Sequence, residues 1–337
     1  MNRISFFFAF LFLSFFLTGK AQRIRYSEIG KSRKGAVDFS FVHLSDLHIG
    51  EGFDDYGTPG WNDAPPPGDV GYAAQRLRKS VNWINRHADS LRIRFVMATG
   101  DLTDSGEKSE FLKCREILDE LQIPYIPLIG NHDVWPYTRS EEAPDALGDR
   151  FFNLVFDDVI GGNSAYFSRW DNGTRHEEVI QPETEKKHQF QNFSFSFHGY
   201  RFIVTDFGTR RHAGRGEPGV GPSADLHDFP GGSLSFLRQQ LKETDSSTKA
   251  VFIFSHWPLM KEPIRFHFAF DSKEYGALAE LLFPYKEKVS TWFSGHLHRS
   301  FAQHVTLPGS GESVIHCQET SANKKHGNGY LRIVNVW

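Results

Sequence analysis

The sequence predicts an α/β protein built on parallel β-strands. Apolar runs at 39–45, 93–99, 123–129, 251–255 and 289–294 have the length and hydrophobicity of strands buried inside a sheet. Stretches of helical apolar spacing separate the first three, and strand, helix, strand in that order closes as parallel βαβ units. Each of the five runs also ends in Asp, Asn or His. Ligands of open α/β sheets collect at the carboxyl ends of the strands, so these residues mark a working edge.

The chain has 337 residues and a net charge of −3, enough for a large core and without the basic excess of a nucleic-acid binder. Residues 1–21 read as a secretory signal peptide. Asn2-Arg3 opens it, an apolar run of 14 residues from Ile4 to Leu17 follows, and Gly19-Lys20-Ala21 places small residues at the cleavage positions. The run is shorter than the ~20 residues of a membrane span. Cleavage is expected after Ala21, giving an exported chain, periplasmic or extracellular, with no later transmembrane segment. An uncleaved N-terminal anchor is the alternative. Residues 22–36 read as a basic lead-in, and 37–337 as one folded domain. Two cysteines, Cys114 and Cys317, do not make a disulfide framework and read as separately buried thiols.

The first strand spans 37–45. The Gly-, Pro- and Asp-rich stretch 50–71 reads as a long loop, either a lid or a surface insertion. Tyr72–Leu91 carries Leu77, Val81 and Ile84 on one helical face, and Glu107–Leu121 repeats the pattern with Phe111, Leu112, Ile117, Leu118 and Leu121. Asp145–Phe156 predicts another helix. Ser164–Trp170, Phe193–Phe197 and Arg201–Thr205 read as strands, the last two joined in a hairpin through His198-Gly199-Tyr200. A second long loop, 207–232, precedes a helix to Leu241 with Ser233 as its N-cap. A third, 257–272, precedes the helix Lys273–Leu282. Phe301–Leu307, Ser313–Glu319 and Tyr330–Val336 read as antiparallel strands.

The strand ends supply Asp46, His48, Asp101, Asn131, His256, His296 and His298. These oxygen and nitrogen donors suit Mn, Fe or Zn and lack the thiolates of a structural zinc site. Seven donors exceed one tetrahedral ion and fit two ions sharing a carboxylate. Two adjacent metals lower the pKa of a bridging water and clamp a phosphoryl group, so the set points to a dinuclear hydrolase. Each segment alone has an ordinary reading, since Gly130-Asn131-His132-Asp133 is also turn chemistry and lone histidines are common. It is their recurrence at strand ends that singles them out.

In order, Asp46-Leu47-His48, Gly100-Asp101-Leu102-Thr103-Asp104, Gly130-Asn131-His132-Asp133, Ser255-His256-Trp257-Pro258 and Gly295-His296-Leu297-His298 resemble the motifs of the calcineurin-like metallophosphoesterase superfamily. The resemblance covers residues 39–300 and implies a four-layer α/β/β/α sandwich. It implies that Asp46, His48 and His298 bind a first metal, Asp101 bridges, and Asn131, His256 and His296 bind the second. It further implies that His132 is the acid or transition-state stabiliser, oriented and charged by Asp104, with Asp133 as a second candidate partner. Hydrolysis of phosphomonoesters or phosphodiesters would follow by attack of a metal-bridging hydroxide. Asp104 and His48 stand where purple acid phosphatases differ, and Gly100–Gly106 lacks the arginine that protein serine/threonine phosphatases carry in GDxVDRG, with Ser105 in its place. The pattern is nearer the bacterial, cyclic-nucleotide phosphodiesterase-like branch. A non-catalytic phosphate- or metal-binding scaffold, or a nuclease or nucleotidase, remains the alternative.

In the late loops, Arg210, Arg211 and Arg265 offer charge for an anionic substrate, and Trp257 a surface for stacking. Arg215, Lys261, Trp61, Phe266 and Phe268 belong to the same class. His43, inside the first strand, reads as structural.

Overall fold

The computed structural model describes residues 35–135, 147–182, 185, 187–210, 224–261, 269–305, 307, 315–319 and 331–337. These fall within a single compact unit, Ser32–Trp337. The signal-peptide segment, Arg211, Arg215, Arg265, Phe266 and Phe268, and parts of the second and third long loops lie outside the described residues.

The chain runs β1 (Phe39–Leu44), α1 (Gly71–His87), β2 (Ile93–Thr99), α2 (Lys108–Leu118), β3 (Tyr125–Leu128), α3 (Asn131–Val134) and α4 (Leu147–Gly162). Then come β4 (Ser168–Asp171), β5 (Val179–Ile180), β6 (Lys187–His188), β7 (Phe193–Phe197), β8 (Tyr200–Val204), α5 (Ser233–Lys242) and β9 (Val251–Phe254). It closes with α6 (Ser272–Leu282), β10 (Val289–Ser294), β11 (Phe301–Val305), β12 (Ile315–Glu319) and β13 (Arg332–Val336).

Two sheets divide the strands. One has four, ordered β13-β1-β2-β3, and the other seven, ordered β11-β12-β10-β9-β8-β7-β4. β1, β2 and β3 are mutually parallel, as are β8, β9, β10 and β12. The late strands are therefore only partly antiparallel to their neighbours: β11 and β13 are, but β12 runs parallel to β10.

Side-chain alternation sorts two cores. On β8 and β9, Phe202, Phe252 and Phe254 enter the cluster shared with the four-stranded sheet, while Ile203, Val251 and Ile253 face the other way. Phe41 meets Phe202, Phe254 and Phe293 at ring separations of 5.9, 5.9 and 5.5 Å, so the Phe-rich composition fills the space between the sheets. Leu234, Leu237 and Leu241 of α5 and Leu278 and Leu282 of α6 cover the opposite face of the larger sheet. Leu77, Val81 and Ile84 of α1 and Phe111, Ile117 and Leu118 of α2 pack on the smaller one, giving helix, sheet, sheet, helix.

Several expectations shift. The segment 164–170 begins in a 3-10 turn, Asn163–Ala165, and becomes a strand only at Ser168. Ser233 is the first helical residue, with Gly232 at the cap, and its hydroxyl donates instead to the Asp206 carbonyl. The stretch 50–71 is seated on the start of α2. Tyr56 N–H donates to Glu107 at 3.0 Å and Ser109 N–H donates to Asp63 at 3.2 Å. The hairpin forms as expected, with His198 and Gly199 both at positive φ (51° and 84°), the torsions of a type I′ turn. Cys114 is a buried free thiol. No described helix is long and apolar enough to cross a membrane.

Candidate metal centre

The five motif segments leave the ends of β1, β2, β3, β9 and β10. Asp46, His48, Asp101, His296 and His298 take φ values of 55°, 47°, 49°, 76° and 55°, a left-handed conformation that costs a non-glycine residue about 1 kcal/mol or more. Tolerated strain of this kind clusters where side chains must be aimed. Backbone hydrogen bonds hold the bends: Asp46 N–H to Gly100 O at 3.0 Å, His48 N–H to Asp101 O at 2.9 Å, and Gly295 N–H to His256 O at 3.0 Å. Gly130 and Gly295 permit the close approach. A Cβ on Gly130 would lie 2.3 Å from the Asp101 nitrogen, and one on Gly295 would lie 1.8 Å from Ser45 Oγ.

All seven expected ligands come together. One group with donor atoms within 4.8 Å of one another comprises Asp46, His48, Asp101 and His298, and a second comprises Asp101, His256 and His296. Asn131 Oδ1 lies 3.0 Å from His256 Nε2 and 2.9 Å from His296 Nδ1. His48 Nε2 lies 3.1 Å from His298 Nε2, which in turn lies 3.3 Å from Asp46 Oδ1. Asp46 Oδ2 is buried and accepts no hydrogen bond. Opposed imidazole nitrogens and a buried, unbonded carboxylate oxygen are the donor set that transition-metal ions satisfy, so these residues fit such ions.

Second contacts fix the rings. His256 Nδ1 lies 2.9 Å from the Thr99 carbonyl, which can only accept, so Nδ1 carries the proton and Nε2 is left as donor to a metal. His48 Nδ1 meets Asp104 Oδ1 at 2.9 Å, with the same consequence for its Nε2. Burial opposes charge on His256, but the adjacent Asp101 carboxylate outweighs it and raises the ring to about 9. Burial likewise opposes ionisation of Asp101, yet His256 and His132 hold it well below the usual carboxylate range. Burial, with His256 close by, pushes His296 well down. Trp257 caps His296, ring to ring at 4.2 Å.

The structure reassigns Asp104. Its carboxylate was expected to orient and charge His132, but it bonds His48 and stays 3.8 Å from His132 Nδ1. The partner of His132 Nδ1 is the Asp104 backbone carbonyl at 2.7 Å. Burial pulls His132 down to about 4, so the resting ring is neutral rather than the imidazolium expected. Asp133 does not face His132 either. It accepts from Thr103 N at 2.9 Å, Thr103 Oγ1 at 2.8 Å and Gly130 N at 2.8 Å, joining two motif segments. Burial, with Asp101 nearby, raises it to about 7.

The substrate-contact expectations also change. Arg210 is buried and paired with Asp149 and Asp206 at 2.9 and 2.7 Å, so its guanidinium is occupied inside the protein. Trp257 is 1% exposed and packs on His296 instead of offering an open stacking face. Trp61 packs against the core. His43 is structural, buried with Nε2 2.8 Å from Thr99 Oγ1. Sequence reasoning missed the Arg210 pairs, because Asp149 and Asp206 carry no motif of their own. A separate acidic group, Asp55, Asp63 and Glu107, receives backbone N–H groups of Gly60, Ser109 and Tyr56.

Comparison with known proteins agrees with this geometry. The family model described as calcineurin-like phosphoesterase matches residues 39–300. A probable cyclic nucleotide phosphodiesterase of Xenorhabdus bovienii is 25% identical over 99 residues, a match covering 26% of this chain and 40% of that protein. A dimetal phosphatase from Danio rerio superposes with a TM-score of 0.50 at 17% identity, over 85% of this chain and 88% of that one, a likeness of fold. A purple acid phosphatase from yellow lupin gives a TM-score of 0.42 at 17% identity over 80% and 39% of the two chains. With the strand-end ligands converged at one edge of two facing sheets, and the family match spanning them all, this chain belongs to the calcineurin-like phosphoesterase family.

Proposed function

We propose that this chain is an exported phosphoric ester hydrolase with a dinuclear metal centre, Asp46, His48 and His298 holding one ion, Asn131, His256 and His296 the other, and Asp101 both. The observation that carries the reading is the presence of Asp101 in both ligand groups. Bound metals in such a centre supply an activated water and neutralise charge at the phosphoryl group. His132 completes the site from the protein side. Its Nδ1–H is held by the Asp104 carbonyl, which leaves Nε2 to meet the ester. A phosphate anion beside a ring that is neutral at rest favours its protonation, and the proton at Nε2 then goes to the leaving oxygen. The ring keeps 18% of its side-chain surface exposed, whereas His48 beside it keeps 1%, so substrate can reach the former.

The substrate class is a phosphodiester or phosphomonoester. The similarity to a probable cyclic nucleotide phosphodiesterase puts cyclic nucleotides first among the natural candidates. The deciding experiment supplies Mn²⁺, Fe²⁺ or Zn²⁺ and compares bis-nitrophenyl phosphate, nitrophenyl phosphate and a cyclic nucleotide. Asp101→Asn and His256→Ala should lose both metal and turnover. His132→Ala should retain metal and lose about 10²–10⁴-fold in kcat on the cyclic nucleotide, whose alkoxide leaving group needs the acid, and far less on the nitrophenyl esters. Bound metal with no hydrolysis of any ester would refute the enzyme reading in favour of a binding scaffold. Export is checked by the mass of the secreted protein, which should begin at Gln22.

A further inference from the structure

His132 sits on α3, a single turn of four residues, too short to hold itself. Asp133 ties the front of this turn to Thr103 and Gly130, as described above. At its back, the Trp135 indole N–H donates to the Thr209 carbonyl at 3.0 Å, and the Trp135 backbone N–H donates to Asn131 O at 2.9 Å. The Thr209 carbonyl is fixed in turn by Arg210. That guanidinium donates from Nε to Asp149 Oδ2 at 2.9 Å, from Nη2 to Asp206 Oδ2 at 2.7 Å and from Nη1 to Gly208 O at 2.7 Å. Asp149 lies in the first turn of α4, and its neighbour Gly148 packs so tightly on the Asp133 carbonyl that a Cβ there would come within 1.8 Å. The contacts close a ring: the His132 turn, α4, Arg210, Thr209, Trp135, and the turn again.

We infer that this ring is a positioning device for His132, and that Trp135 and Arg210 are positioning residues of the reaction. The inference rests on the acid role proposed for His132. Arg210 has no exposed side-chain surface, and neither carboxylate partner exceeds 6%. Buried ion triads often contribute no more to stability than well-packed apolar residues of similar volume. What a planar fork gripping two acids and a carbonyl does provide is a fixed position for the loop carrying Thr209. Asp206 follows the end of β8, the strand adjacent to β9, whose end carries His256. The ring therefore anchors the His132 turn to the same sheet edge as the metal ligands.

Trp135→Phe removes the indole donor and keeps an aromatic ring in the core, at the cost of some buried volume. In the metal-loaded full chain, kcat should fall about tenfold on a diester with an alkoxide leaving group and less than about twofold on bis-nitrophenyl phosphate, whose leaving group needs no acid. KM and metal content should stay unchanged, and adding Trp135→Phe to His132→Ala should cost nothing further. Arg210→Lys, which keeps the charge without the fork, should show the same leaving-group pattern. Independently of turnover, the His132 Nδ1–H should exchange with solvent about tenfold faster in Trp135→Phe than in the parent, while the His256 Nδ1–H is unaffected. Equal losses on both esters, loss of metal, full additivity with His132→Ala, or unchanged His132 exchange would each overturn the inference. His132→Ala alone separates the two claims. If it lacks the leaving-group signature, the acid role fails; if it has the signature and Trp135→Phe does not, only the positioning inference fails.

Discussion

At the scale of single residues, Asp104 shows how much a few torsions decide. His48 and His132 stack edge to face, 4.6 Å between ring centroids, so either could have taken its carboxylate. The chain gives the side chain to His48 and the carbonyl to His132. His48 is thereby basic as well as oriented: burial works against its charged form, and the bond to Asp104 more than restores it. A carboxylate behind a metal-binding imidazole raises metal affinity about 10–100-fold. Asp104→Asn should therefore weaken metal binding by roughly tenfold, measured by competition with a chelator, and leave the pH profile of kcat nearly in place. A shifted pH profile at unchanged affinity would return the carboxylate to His132. The candidate ligand types themselves were legible in the sequence, because Asp, Asn and His recur at the ends of five apolar runs. The partner of each ring was not, since two imidazoles at nearly equal reach look alike in one dimension.

At the scale of elements, α2 carries a cost set by the site it supports. Glu110 is buried, accepts the Ser105 N–H at 2.9 Å and the Glu107 N–H at 3.2 Å, and sits where a Cβ on Gly50 would strike it at 1.8 Å. Burial, with the charges of Glu107 and Asp104 added, pushes its carboxyl well above the usual range. The folded state then binds this proton more tightly than the unfolded state does. Its contribution is most favourable below the ordinary Glu pKa of ~4.3 and declines as pH rises from there toward the folded value. Glu110→Gln keeps an acceptor and removes the ionisation. It should flatten that decline and raise Tm at neutral pH by roughly 2–4 °C. An unchanged slope of stability against pH would show that Glu110 ionises freely. Most elements were readable from periodicity and turn chemistry, including the hairpin at His198-Gly199. The start of α5 was not, because the Ser233 hydroxyl finds a tertiary acceptor, the Asp206 carbonyl, in place of its own helix.

At the scale of the molecule, the centre joins the two sheets. Asp46, His48, Asp101 and Asn131 follow strands of the four-stranded sheet, and His256, His296 and His298 follow strands of the seven-stranded one. A ligand that binds only the folded state at 100 times its Kd stabilises by ~2.7 kcal/mol. Removing metal from the loaded protein should therefore lower Tm by roughly 5–10 °C, reversibly on adding Mn²⁺ or Zn²⁺. An unchanged Tm after verified depletion would show that the seven side chains do not hold metal together in solution.

The sequence by itself determined the α/β class, the strands that end in Asp, Asn and His, and the donor types those ends carry. These follow from hydrophobic period, turn-forming glycines and donor type, all of which act over a few residues. Only the tertiary structure decided that Asp104 serves His48, that Arg210 is locked between Asp149 and Asp206, and that Trp257 lies under His296 instead of facing solvent. Each of those outcomes depends on which side chains, far apart in the chain, are pressed together once Phe41, Phe202, Phe254 and Phe293 bring the sheets face to face, and no local pattern encodes that proximity.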